Sequence, residues 1–413
     1  MKNENKSIMK DLNNLLNSYL TESFAKDFIK VLNEDTSLNS DLSSGITELE
    51  KLQIGYEPPN GINYRLKIDK VITVCSKLLT EEKYFNLILD LSQLMIFAGE
   101  ISYALEIAED LLSRLQSNKK YANLLAENNL MISKIFWSQA LWEDCSNYIT
   151  EASRIFRSIG NHEGISKCEN MLGTLYGEKG EFEKAEEHFE NALGLLNNHD
   201  DSSGRAMALT NLGIISTVKG NFEKAVWYYK ESLKKFDEIK DVRRLSRVYH
   251  NIGMLYTRME NYDAALDEFN KCITLSHEND YLSNCAIAYI GKAFIYTKLK
   301  NQPLADAYTE KAMEIAYKLN DTLSIADIYK IKGMIQNEMN NFELSEELFE
   351  NSLRLNKDIE SKLNEAESSI ELGNLFAKTK REDKAKRYLE SANNFLKEIN
   401  NEKMTAGLVH QSI

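Results

Sequence analysis

The chain has 413 residues, 43% of them hydrophobic, a net charge of -13 and only three prolines, Pro58, Pro59 and Pro303. That apolar content can bury a core, and so little proline points to a nearly all-helical chain, because proline interrupts helices. The acidic balance argues against DNA or RNA as a partner, since affinity for phosphate comes from Lys and Arg.

Residues 1–45 read as an N-terminal helical segment and linker. Met9, Leu12, Leu15, Leu16 and Leu20 mark one apolar stripe, continued by Phe24, Phe28, Val31 and Leu32. Residues 33–45 form a polar break. Residues 46–80 read as a degenerate repeat or helical cap. Within them, 46–54 and 62–79 are the two helices, and the Gly- and Pro-rich stretch 55–61 is a loop.

From residue 81 to 399 one pattern recurs. Its plainest copies run Ala206 to Gly213 followed by Phe222 and Ala225, and Ser246 to Gly253 followed by Tyr262 and Ala265. Small residues recur at a step of 40 at Gly173, Gly213, Gly253, Ala293, Gly333 and Gly373. Such periodicity means a stacked array, because one unit cannot bury its apolar face alone. Each unit reads as two helices, A and B. In the copy beginning at Ala206, helix A ends near Lys219, Gly220 and Asn221 turn the chain, and helix B runs from about Phe222. Asn and Asp between units serve as helix stops and N-caps. Residues 400–413 are a C-terminal tail.

The repeat resembles the tetratricopeptide repeat in its long 40-residue form. The resemblance rests on Leu172-Gly173, Tyr176, Ala185, Phe189 and Ala192, and again on Ile252-Gly253, Tyr256, Ala265, Phe269 and Cys272. It covers residues 81–399, about eight units, of which six are clear. It implies an all-α fold, a right-handed solenoid of antiparallel helix pairs with helices A lining the concave face. It also implies that the positions six, three and two before the small residue, and one, four and five after it, face the groove.

By that register the candidate binding residues are Lys134, Trp137, Thr210, Asn211, Arg247, His250, Asn251, Met254, Arg258, Lys330 and Asn337, with Thr217 and Glu338 in equivalent places. Asn211 and Asn251 stand two residues before glycine in successive units. Such amides can pair with the backbone of an extended peptide or tie adjacent helices together. Arg247 suits a ligand carboxylate.

The expected function is a non-enzymatic scaffold holding a protein or extended peptide in the groove. The layout also resembles the Rap-like branch of bacterial peptide-pheromone receptors, which implies a peptide-responsive regulator acting on a partner protein through its N-terminal helices. Residues 1–60 lack a basic recognition helix, so the DNA-binding members of that group are disfavoured. A remnant of a signalling enzyme is the remaining alternative, and the chain stops at Ile413 without such a domain.

No motif for catalysis, phosphate binding or a metal occurs, and no cofactor is expected. Five widely spaced cysteines without a CxxC pair read as free thiols. No signal peptide or membrane-length apolar stretch is legible, which places the chain in the cytoplasm. His188 reads as a solvated residue of a helix B. Trp227 reads as packing against the next hairpin, or else as a homodimer contact.

Overall fold

The computed structural model describes residues 4–34, 64–98, 100–116, 118–139, 141–196, 201–279, 281–319, 321–359 and 361–398. The helix expected over 46–54, the loop over 55–61, most of the linker over 33–45 and the tail over 400–413 lie outside the described residues. Among the described residues there are helices and turns and no strand.

The helices are α1 (Glu4–Tyr19), α2 (Glu22–Glu34), α3 (Tyr64–Leu78), α4 (Glu81–Phe97), α5 (Ile101–Leu115), α6 (Ala122–Ser138), α7 (Trp142–Ser158), α8 (His162–Glu178), α9 (Phe182–Leu195) and α10 (Ser202–Val218). They continue as α11 (Phe222–Glu238), α12 (Val242–Arg258), α13 (Tyr262–Glu278), α14 (Leu282–Lys298), α15 (Gln302–Lys318), α16 (Thr322–Glu338), α17 (Phe342–Asp358), α18 (Lys362–Lys378) and α19 (Glu382–Glu398). The chain divides into two compact units, residues 1–135 and 136–413.

In the N-terminal unit, Leu12, Leu16, Ala25, Phe28 and Leu32 are buried, as the apolar stripe requires, but Phe24 is exposed and stacks only on Phe28. The side chains of Met9 and Val31 lie outside the described residues. Tyrosine–carboxylate bonds link helices here: Tyr19 donates to Asp90, Tyr103 to Asp69 and Tyr121 to Glu81, at 2.5–2.6 Å. Each satisfies a polar tip whose ring is needed in the core.

The C-terminal unit is built on the 40-residue period. From α8 onward, helices A begin at 162, 202, 242, 282, 322 and 362, and helices B at 182, 222, 262, 302, 342 and 382. The recurring glycines lie at the A–B crossings. An added Cβ at Gly173, Gly213, Gly253 or Gly333 would come within 2.6 Å of the ring sixteen residues on: Phe189, Tyr229, Phe269 or Phe349. The one unit with alanine at this place, Ala293, has the smaller Thr309 sixteen residues on, and both are fully buried.

The A–B turns explain how the repeat ends its helices without proline. Gly180, Gly220, Glu260, Lys300, Asn340 and Lys380 all adopt positive φ, between 56° and 77°. In each turn two backbone N–H groups reach back to the last helical carbonyls. In the turn after α10, Asn221 donates to Ser216 at 2.8 Å and Gly220 to Thr217 at 3.1 Å. A left-handed residue with this pair of bonds satisfies orphan carbonyls and stops the helix. Helices A begin with Asx caps: Asn161, Asp201, Asp241 and Asp321 accept from the backbone three residues on. The expected turn residues 198–200, 280 and 320 lie outside the described residues.

The array coils tightly. A single buried cluster contains Phe182, Phe189, Leu209, Leu212, Ile215 and Tyr228 together with Ala366, Ile370 and Ala392. Residues of α9–α11 and of α18–α19 thus share one apolar core, and helices A of the intervening repeats are left facing an enclosed groove.

Candidate functional site: a charged groove across four inner helices

Four helices A, α12, α14, α16 and α18, line one recess of the groove. It spans about 1040 Å³ of space, the open solvent at its mouth included. Each helix brings a different chemistry. From α12 come His250, Met254, Thr257 and Arg258; from α14 come Ile287, Ile290, Gly291 and Phe294. Opposite them, α16 supplies Asp327, Lys330, Ile331 and Met334, and α18 supplies Asn364, Glu367 and Glu371. The recess has an apolar floor between two polar walls.

The α12 wall carries cations without ion-pair partners. Arg258 makes no hydrogen bond or ion pair among the described residues, and neither does Arg247 about three turns earlier along the same face of α12. Arg247 reaches water in the groove, yet enough protein surrounds it that burial disfavours its charge; Cys272 and Asp321 act in the opposite sense. Burial likewise lowers Arg258, partly offset by Glu367 across the groove. A guanidinium still keeps its proton in such a place. It gains most from an arriving carboxylate where water competes least. His250 lies between them with its ring tilted against Phe269, and its buried Nδ1 has no hydrogen-bond partner. Burial and then the Arg247 charge push its pKa down to about 3, so the ring is neutral at physiological pH.

The facing wall is acidic and partly self-satisfied. Lys330 Nζ lies 2.6 Å from Glu367 Oε2 and 3.2 Å from Asp327 Oδ1. Burial alone would lower the Lys330 ammonium; Glu367 and Asp327 more than reverse it and raise it above its ordinary value. Burial raises the Asp327 carboxyl against the pull of Lys330, whereas for Glu367 the attraction of Lys330 overcomes burial and lowers it. Glu371, one turn beyond Glu367, has no hydrogen bond or ion pair among the described residues. Burial pushes its carboxyl up to about 7, against the more distant Lys298 and Lys330.

Of the residues expected from sequence, His250, Met254, Arg258 and Lys330 come together in this recess, with Met254 38% exposed. Arg247 and Asn251 lie on the same helix, and the Asn251 amide makes no hydrogen bond among the described residues. Others are not brought to it. Thr210 is buried inside its own hairpin, with its hydroxyl bonded to Ala206 O and Ser232 Oγ. Thr217 is buried too and donates to Gly213 O. The Asn211 amide donates to Asn170 Oδ1 at 3.0 Å, so this amide ties adjacent helices A together. Asn337 accepts from Lys378 through its backbone and side-chain oxygens, and Glu338 pairs with Lys300. Lys134 is exposed in the N-terminal unit, and Trp137 is half-buried with its Nε1 unpartnered.

Two further readings change. His188 is not simply solvated: its Nδ1 lies 2.7 Å from Glu169 Oε2 and its ring stacks on Tyr176 at 5.1 Å, joining α8 to α9. Trp227 is 56% exposed and touches Tyr228 edge-on rather than packing under the next hairpin.

The residues not singled out from sequence are Thr257, Ile287, Ile290, Gly291, Phe294, Asp327, Ile331, Met334, Asn364, Glu367 and Glu371. All but Asn364 stand at the same groove positions, counted from Gly253, Ala293, Gly333 and Gly373. The same register therefore carries the signal for all of them but Asn364.

Tetratricopeptide-repeat family models match residues 204–278 and 244–318, and a second such model matches 170–199. Tetratricopeptide repeats therefore make up these stretches of the chain. No curated protein sequence matches it. Among solved structures, one of a Rap protein complexed with competence and sporulation factor is similar with a TM-score of 0.63 at 11% identity, over 91% of this chain and 96% of that one. The Rap conjugation gene regulator of the plasmid pLS20, in complex with the Phr* peptide, gives 0.58 at 13% identity, over 78% and 97%. Aspartyl phosphate phosphatase F from Bacillus subtilis gives 0.55 at 14%, over 96% and 95%. At these identities the likeness is one of fold.

Proposed function

We propose that this chain is a non-enzymatic peptide receptor that holds a short extended peptide in the groove of its C-terminal unit, within a tetratricopeptide array running over residues 81–399. The observation that carries the reading is the pairing of an apolar floor with two arginines that lack ionic partners. Arg247 reaches water and Arg258 is half-buried, so each is free to take a charge-assisted bond from a ligand carboxylate. Arg247 and Arg258 suit a carboxylate, the floor of Ile287, Ile290 and Phe294 suits an apolar side chain, and Asn251 suits the peptide backbone.

A regulator rather than a passive scaffold is favoured by one observation. Two of the similar folds were solved with a bound factor or peptide, and the match to one of them spans 91% of this chain. In this reading peptide in the groove alters what the N-terminal unit offers a partner protein in the cytoplasm, without nucleic acid or membrane. Exposed Trp227 is the candidate contact of a homodimer.

The test is amide hydrogen exchange on the purified chain with and without binders drawn from a library of defined linear pentapeptides. Protection concentrated in α12, α14, α16 and α18 supports the reading. A library without any binder, or protection confined to α1–α5, overturns it.

A further inference from the structure

Among the described residues Glu371 is the one carboxylate of the recess that makes no hydrogen bond or ion pair. Its neighbour Glu367 is committed to Lys330 at 2.6 Å, and Asp327 is held by the same ammonium at 3.2 Å. One lysine thus serves two carboxylates, and Glu371 is not among them. The charged groups facing Glu371 are Lys298 from α14, Lys330 from α16 and Glu367 from its own helix, while Arg258 and neutral His250 line the wall across the recess. Asp327, Glu367 and Glu371 thus face Lys298, Lys330 and Arg258 around a space that is open to a ligand, and none of these cations forms an ion pair with Glu371 among the described residues.

We propose that Glu371 exchanges its proton for a cationic group of the bound peptide, so that peptide capture at this wall releases a proton to the solvent. This rests on the peptide-receptor reading above and adds to it a direction and a regulator. The ligand would lie with its carboxylate toward Arg247 and Arg258 on α12 and its ammonium or guanidinium toward Glu371 on α18.

The physical chain is short. Without ligand, burial holds the Glu371 proton on near pH 7 against the more distant Lys298 and Lys330, with a smaller contribution from the like charge of Glu367. A ligand cation supplies the counterion and stabilises the ionised form. The proton leaves, and affinity depends on pH. Below the free-state value near 7 each binding event must expel the proton, so affinity is weaker; above it the carboxylate is already bare. Full coupling makes binding about tenfold tighter at pH 8 than at pH 6. His250 cannot produce this trend, since it titrates near pH 3.

The experiment uses N-acetylated pentapeptides with a free C-terminal carboxylate, so that no peptide amine other than lysine carries charge. The best binders are titrated by calorimetry at pH 6, 7 and 8 in buffers of different ionisation enthalpy, each beside its Lys→Gln counterpart. The expected result has three parts: binders enriched in Lys or Arg, proton release near pH 7, and loss of both the pH dependence and the preference over the Gln peptide in Glu371→Gln. That variant retains binding of the neutral peptide, which separates a lost subsite from a damaged fold. Binders without cation preference, or a pH dependence that persists in Glu371→Gln, overturn the inference and leave the receptor reading standing. A library without any binder removes both.

Discussion

Lys330 Nζ on α16 donates to Glu367 Oε2 on α18 at 2.6 Å, one strut between neighbouring helices A along the groove wall. With Asp327 on its other side, this ammonium neutralises two carboxylates at once. Lys330→Met should leave both uncompensated. Removing one partner of a buried pair typically costs about 3–5 kcal/mol, and the partial exposure here places the expected loss at the low end. Urea denaturation midpoints measure it, and adding Glu367→Leu should restore part of the stability.

Glu371 gives the wall a pH signature of its own. Its folded carboxyl is raised from the ordinary 4.5 to about 7. The folded state therefore binds the extra proton between those values, so stability is fully present below the unfolded value and declines as pH rises through about 7. Glu371→Gln should stabilise the chain at pH 8 and change little at pH 4.5, in thermal melts compared across that range.

The crossings predict the effect of a single methyl group. Phe269 fills the space in front of Gly253, and an added Cβ would stand 2.6 Å from its ring. Gly253→Ala should cost about 1–3 kcal/mol by overpacking, and Gly253→Leu no less. Phe269 also limits Gly291 from the other side, at 2.4 Å, so its ring cannot retreat freely. Equilibrium unfolding of both variants is the check.

The turns predict the opposite sign. Glu260 holds φ of 56°, a conformation that favours glycine. Glu260→Gly relieves the clash of Cβ with the backbone, about 1–2 kcal/mol, against the greater freedom glycine has when unfolded, about 0.5–1 kcal/mol. The net expectation is a small gain in stability with the Asn261 and Glu260 backbone bonds intact. A denaturation midpoint that falls would contradict it.

How far the sequence could be read follows from what sets each feature. The period, the glycine crossings and the helix boundaries were legible because they repeat: Gly253 needs Phe269 for the same reason Gly213 needs Tyr229. The groove register was legible too, and it placed His250, Met254, Arg258 and Lys330 correctly in the recess. Partner choice was not. Whether Asn211 meets a ligand or Asn170, or whether Thr210 turns to Ser232, depends on rotamers and on the spacing of neighbouring helices, which no single repeat encodes. The closeness of α18 to α12 was hidden for a further reason: it arises from curvature summed over three repeats.

The central claim, that the α12 wall of the groove captures a peptide, is tested most directly by calorimetric titration of the strongest library peptide against wild type, Asn251→Ala and Arg247→Ala at low and high salt. The account predicts folded variants, a loss of roughly 1–3 kcal/mol for Asn251→Ala from unpaired ligand backbone, and a loss for Arg247→Ala that is larger at low salt because the charge interaction is less screened. Unchanged affinity in both variants, with the fold preserved, would contradict it and remove this wall from the mechanism.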